Sequence, residues 1–199
     1  MARTWMFAFL LAAIAVAQVG ALFATELKIG DPAPDFKGIV GIDDKEHSLS
    51  DFKDSKLVVL VFTCNHCPVA SAYEERFVAL QNDYKAKGVQ VVAVNVNNIE
   101  ADRLGKMKER AEAKKFNFPY LYDASQKIGH DYGATVTPHV FLLDQKRKVA
   151  YMGAVDDKQN ADQVKKTYLR DAIDALLDGK TPPETVTKQF GCGIQYDKK

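Results

Sequence analysis

Two continuous apolar runs dominate the pattern of the chain. "KLVVLVFT" (56–63) and "VQVVAVNVN" (89–97) are rich in β-branched residues and hardly alternate, which predicts strands buried on both faces. Between them Val69, Tyr73, Phe77, Leu80 and Tyr84 recur every three or four residues. That spacing predicts an amphipathic helix running from Pro68 and ended by Gly88. Further on, Leu104, Met107 and Ala111 keep helical spacing within 100–115, "FPYLYD" reads as a short extended piece, and "ASQKIGHDYG" as a short helix closed by Gly133. "HVFLLD" and "KVAYMG" predict two strands joined by the charged turn Gln145-Lys146-Arg147. Val164, Leu169, Ala172, Ile173 and Leu176 predict a last helix that stops before Gly179. Upstream, Pro32 and Pro34 mark a linker, and "FKGIVGIDDKEHSLSDF" predicts an N-terminal β-hairpin around Asp43-Asp44, then a turn at Ser48–Phe52. The order of these elements predicts an α/β fold, a central mixed sheet flanked by helices on both faces.

Composition narrows the class. The 199 residues are 47% hydrophobic and 27% charged, with 27 Lys and Arg against 26 Asp and Glu. This suits one ordinary globular domain and gives no basic surplus for a nucleic-acid partner. Arg3 is the only charge before Glu26, and Trp5 to Ala24 is mostly apolar. Residues 1–24 are therefore expected to be a signal peptide, with small residues at Val19-Gly20-Ala21 or Leu22-Phe23-Ala24 for cleavage. An uncleaved membrane anchor is the alternative, since about 20 apolar residues can span a bilayer. Either way residues 25–199 form an exported domain with a C-terminal tail, periplasmic or secreted, and meet a membrane only if the first segment is retained. Export puts the cysteines where disulfides form and persist.

There are three cysteines, two of them in "VFTCNHCPVA". A structural zinc site needs four ligands, and no second close pair exists to supply them. Haem attachment needs histidine after the second cysteine, where Pro68 stands. A purely structural clasp around two residues would stabilise little by loop entropy. Dithiol redox chemistry is the reading that suits the pair, and it calls for no cofactor. Cys64 falls where a buried strand gives way to a helix, so the helix N-terminus and His66 are expected to hold it as a thiolate titrating below ~7.5. Cys67, one turn later, is expected to be the more buried sulfur of a Cys64–Cys67 couple. Thr137-Pro138 precedes a strand at the position where thioredoxin-like folds carry a cis proline facing the sulfurs.

"DPAPDF", "FTCNHCPVA", "AYEERF", "GVQVVAVNVNN", "FPYLYD", "GATVTP", Asp156-Asp157 and "FGCGI" together resemble the exported redoxin-domain proteins of the alkyl hydroperoxide reductase/thiol-specific antioxidant superfamily. Within it, "CNHCP" with "GCGI" resembles the peroxiredoxin-like branch that carries a C-x-x-C. The resemblance runs from about Ile29 to Tyr196. It implies a thioredoxin-like fold and thiol-dependent oxidoreductase or antioxidant activity, with Cys64 as nucleophile, Cys67 as resolving cysteine and Pro138 as the cis proline. The chain departs from peroxiredoxins in lacking Pro-x-x-x-Thr/Ser-x-x-Cys: Leu57 and Val61 precede Cys64 at those positions, and Leu60 and Cys64 precede Cys67. It also has Val58 where thioredoxin keeps a buried acid.

The leading expectation is thus a thiol–disulfide oxidoreductase acting on protein thiols and disulfides, served by an upstream redox partner. A thiol peroxidase that reduces peroxide through a Cys64 sulfenic acid is the alternative. A copper metallochaperone using Cys64, Cys67 and His139 is a third. Cys192, the odd cysteine, is expected either to be a small residue in a tail docked by Phe190, Ile194 and Tyr196, or to lie within disulfide reach of Cys64 as an accessory thiol.

Overall fold

The computed structural model describes residues 26–198, so the expected signal segment lies outside the described residues. The chain opens with the expected hairpin, β1 (Ile39–Gly41) and β2 (Glu46–His47), turning through Asp44 in the left-handed region. β3 (Leu57–Phe62), helix α1 (Pro68–Tyr84) and β4 (Val89–Asn95) follow. Gly88, at φ +87, closes the turn after α1. Then come α2 (Leu104–Lys114), β5 (Tyr120–Tyr122), α3 (Lys127–Tyr132), β6 (Val136–Thr137), β7 (His139–Leu143), β8 (Val149–Gly153), α4 (Tyr168–Leu177) and β9 (Cys192–Gly193).

Seven strands form one mixed sheet in the order β2-β1-β5-β4-β3-β7-β8. β3, β4 and β5 are parallel, while β7 and β8 continue the sheet antiparallel from β3. Every residue of β3 is buried, as its unbroken apolar run predicted. Alternate side chains serve opposite faces. Val59, Val61, Val91 and Leu142 pack with Tyr73, Phe77 and Leu80 of α1, Met107 of α2 and Ile173 of α4. Val58, Leu60, Phe62 and Phe141 pack on the other side with Ile128 and Tyr132 of α3 and with Phe36, Leu49 and Phe52 from the start of the domain. The helices therefore cover both faces, as expected from the order of elements.

Two features escaped the apolar pattern. β6 and β9 form a separate two-strand ladder in which Thr137 is opposite Cys192. In addition, the buried side of α1 is not wholly apolar. Glu74 is buried there, and Arg110 of α2 donates to both its carboxylate oxygens at 2.7 and 3.0 Å. A carboxylate left in that position without its partner is costly, whereas an apolar pair of similar size is not. Arg110→Met is expected to lower unfolding free energy by roughly 2–4 kcal/mol in urea titration, and adding Glu74→Leu to recover most of it. A single variant as stable as the native chain would show that the pair does not tie α2 to α1.

Candidate active site

β3 and β4 run in parallel and in register, Val61 opposite Ala93 and Phe62 opposite Val94, so the loops that follow them leave the sheet at the same edge. The loop after β3 carries Cys64, Asn65, His66 and Cys67. Pro68 opens α1 at a position where its missing N–H costs nothing. Cys67 is the N-cap, and its Sγ accepts from the Ala70 N–H at 3.3 Å. The helix begins at Pro68, as expected, but the expectation that its terminus acts on Cys64 is corrected: the free N–H groups of its first turn serve Cys67.

The loop after β4 supplies Asp102, which is fully buried. Its Oδ1 accepts from the backbone N–H groups of Asn65 (2.7 Å) and His66 (3.2 Å), while its Oδ2 pairs with His66 Nδ1. Asn65 donates back to the Ala101 carbonyl at 2.8 Å and accepts from Tyr120 Oη at 3.1 Å. Asn95 donates to Tyr120 Oη and to the Asp102 carbonyl. The two residues between the cysteines are thus clamped, and His66 is oriented by a carboxylate.

Thr137-Pro138 faces this loop, and its peptide bond is cis, as expected. Thr137 Oγ1 lies 3.1 Å from Cys64 Sγ, in hydrogen-bond contact, and the Thr137 carbonyl oxygen lies 3.3 Å from Cys67 Sγ. Cys64, Cys67 and Ala70 form one buried cluster against which Cys192 packs. The pairing differs from the expected Cys64–Cys67 bridge: Cys67 is disulfide-bonded to Cys192, with Cα atoms 5.9 Å apart, and Cys64 is a free, buried thiol.

The tail that brings Cys192 here docks through the expected aromatic residues. Phe190 packs edge-on to Tyr73, and Tyr196 stacks on His130 at 4.1 Å while donating to the Ala134 carbonyl at 2.7 Å. Ile194 packs against the α3 side of the core. A Cβ at Gly191 would collide with the Thr137 carbonyl, so only glycine lets the tail pass this close.

Burial pushes the Cys64 thiol up to about 11. The Thr137 hydroxyl and the backbone N–H groups of Cys67 and His66 offset part of this, and the Asp102 charge adds to it. The expected thiolate below ~7.5 is therefore corrected. Cys64 is a neutral thiol at neutral pH, because its sulfur is out of water and beside a carboxylate rather than at a helix terminus.

His139, expected as a third copper ligand, is buried and held neutral, its imidazole lowered to about 4 by burial, and it packs on Phe141. Among the described residues the donors that gather are instead Cys64, His66 and Asp102, each with a ligand atom within 4.8 Å of the others. Both Asp102 oxygens already accept hydrogen bonds, so a metal ion would have to displace the clamp that holds the loop.

The family model described as Redoxin matches residues 28–169. The chain belongs to the Redoxin family. This redoxin is 35% identical to an uncharacterized conserved protein of Geobacillus kaustophilus, whose crystal structure aligns over 87% of this chain and 94% of that one with a TM-score of 0.81. A Chlorobium tepidum structure provisionally described as the thiol:disulfide interchange protein DsbE is 31% identical, covering 64% of this chain and 85% of that one, with a TM-score of 0.58. Peroxiredoxin-2 of Macaca fascicularis is 26% identical over 60% of this chain. The alignment spans 65% of that curated relative, just under two thirds of its length. The fold is thioredoxin-like, and the Redoxin family together with the thiol:disulfide interchange neighbour supports an oxidoreductase-type enzyme.

Reading of the motif alone missed Asp102. It is 36 residues from His66 in the chain, and no local pattern marks it. The only available signal was topological: an acid in the loop after a strand parallel to the one that presents the cysteines.

Two outcomes follow from this geometry. Alkylation of Cys64 against pH should show a midpoint near 11, and Asp102→Asn should lower it by removing the nearby negative charge. A native midpoint near the free-cysteine value of about 8.5 would contradict the burial account. Separately, the Cys67–Cys192 bond spans 125 residues of chain, so Cys192→Ser should cost about 2–5 kcal/mol in denaturant titration of the oxidised protein. An unchanged midpoint would mean that the bond does not constrain the unfolded chain.

Proposed function

We propose that this redoxin is an exported thiol–disulfide oxidoreductase that exchanges electrons with protein thiols and disulfides. The observation that carries the reading is the convergence of all three cysteines on Thr137: a free thiol at its hydroxyl, and a disulfide that includes the sulfur at its carbonyl. A disulfide and a third thiol in one cluster suit exchange, in which a thiolate attacks one sulfur and the other leaves. The His66–Asp102 pair supplies a base for the neutral Cys64. An imidazole whose Nδ1 is held by a carboxylate can take the thiol proton as Cys64 attacks, with the imidazolium stabilised by Asp102. The likeness to a thiol:disulfide interchange protein supports this class, and the apolar segment at Trp5–Ala24 supports export. Among the described residues no helix is long and apolar enough to cross a membrane.

One observation favours a second reading, a thiol peroxidase. The hydroxyl that peroxiredoxins place three residues before their reactive cysteine is absent from the sequence, yet Thr137 brings a hydroxyl to 3.1 Å from Cys64. Burial leaves Cys64 open to a small oxidant sooner than to a protein.

Paired assays separate the two. The purified protein is expected to accelerate insulin disulfide reduction by dithiothreitol, to lose at least tenfold in rate as Cys67→Ser, and to consume hydrogen peroxide only slowly. Rapid peroxide consumption without insulin turnover would overturn the first reading in favour of the second. Amino-terminal sequencing of the mature chain tests export; a start at Met1 or Ala2 in a cytosolic fraction would contradict it.

A further inference from the structure

The disulfide joins two sulfurs in unequal surroundings. Cys67 has no exposed surface, and Cys64 is only 2% exposed. Cys192 is half-buried, and its neighbours Gly191 and Gly193 are exposed and carry no side chains to screen it. A thiol arriving from solution therefore meets the Cys192 sulfur first. The far side of the bond is equally unequal. Cys67 Sγ lies at the N-terminus of a 17-residue helix and accepts the Ala70 N–H, an arrangement that stabilises a negative charge on that sulfur. Cys192 sits on the two-residue strand β9, and among the described residues no N–H donates to its sulfur as the Ala70 N–H does to that of Cys67.

We propose that Cys192 is the port through which this redoxin exchanges disulfides with an external thiol, with Cys67 as the leaving group. The inference rests on the thiol–disulfide reading and assigns its point of contact. A partner thiolate attacks Cys192 Sγ, the Cys192–partner disulfide forms, the Cys67–Cys192 bond breaks, and Cys67 departs as a thiolate held by the Ala70 N–H. When the partner is a dithiol peptide, its second thiolate attacks its own sulfur in the mixed disulfide. The partner leaves oxidised, and Cys192 is released as a thiolate that takes a proton from solvent. Two electrons have then passed from the partner to the Cys67–Cys192 pair. The reverse sequence reduces a partner disulfide.

The tail keeps its place throughout because the bond is not its only anchor. The Ile194 N–H donates to the Thr135 carbonyl at 2.9 Å, the Gln195 N–H to Asn97 Oδ1 at 2.9 Å, and the Asp197 N–H to Gln126 Oε1 at 2.7 Å. Reduced Cys192 therefore stays opposite Thr137 and beside Cys67, ready to close the bond again. Cys64 remains an internal thiol in the same cluster and does not need to meet the partner.

Glutathione serves as the probe. Oxidised protein is incubated with reduced glutathione and quenched in acid, and the adduct is mapped by peptide mass spectrometry. In a second arm, reduced Cys67→Ser protein is given glutathione disulfide, so that Cys67 cannot remove the adduct. Glutathione is expected on Cys192 in both arms, at least tenfold faster than on Cys64 in the second. An adduct mainly on Cys67 or Cys64 would overturn the port while leaving the oxidoreductase reading standing, and absence of any adduct from both arms would overturn it as well. Failure of insulin turnover with glutathione still on Cys192 would instead sink the enzymatic reading and spare the port.

Discussion

Thr137 is the residue on which the site depends. Its hydroxyl meets the Cys64 sulfur, its carbonyl oxygen faces the Cys67 sulfur, and its backbone pairs in register with Cys192. Three cysteines separated by as many as 128 positions in sequence are gathered by one peptide unit. The bond that follows, to Pro138, is cis. Gly191 is needed because the tail must cross directly over the same carbonyl.

The other half of the constraint is the buried carboxylate of Asp102. It satisfies two backbone N–H groups of the Cys64–Cys67 loop and orients His66, which fixes the loop against the sheet edge. The same charge works against ionisation of Cys64, as does the sulfur's own burial. The site therefore combines a buried neutral thiol with an imidazole close by and a disulfide whose one partly buried cysteine belongs to the tail.

Much of this was legible in the sequence, and the parts that were not share a cause. The strands 57–62 and 89–95, the helix from Pro68 and the hairpin at Asp43-Asp44 all follow from local periodicity and turn chemistry, which are properties of neighbouring residues. The cysteine motif, Thr137-Pro138 and the docking of Phe190, Ile194 and Tyr196 were legible for the same reason. What escaped depends on contacts between distant segments. Asp102 joins the motif only because β3 and β4 are parallel. The β6–β9 ladder is two residues long on each side and leaves no pattern. The helix starts at Pro68 as its periodicity predicts, but its N-cap is Cys67, so its free N–H groups serve that sulfur and not Cys64, three residues earlier. Pairing of Cys67 with Cys192 likewise depends on a tail path that no spacing rule contains.

The central claim is that the oxidised site holds Cys64 as a thiol beside a Cys67–Cys192 disulfide. Its most direct test is disulfide mapping of the purified, unreduced protein: acid quench, alkylation of free thiols after unfolding at low pH, proteolysis and mass spectrometry. The account predicts a linked peptide pair carrying Cys67 and Cys192, with the alkyl label on Cys64. A Cys64–Cys67 bridge with the label on Cys192 would contradict it.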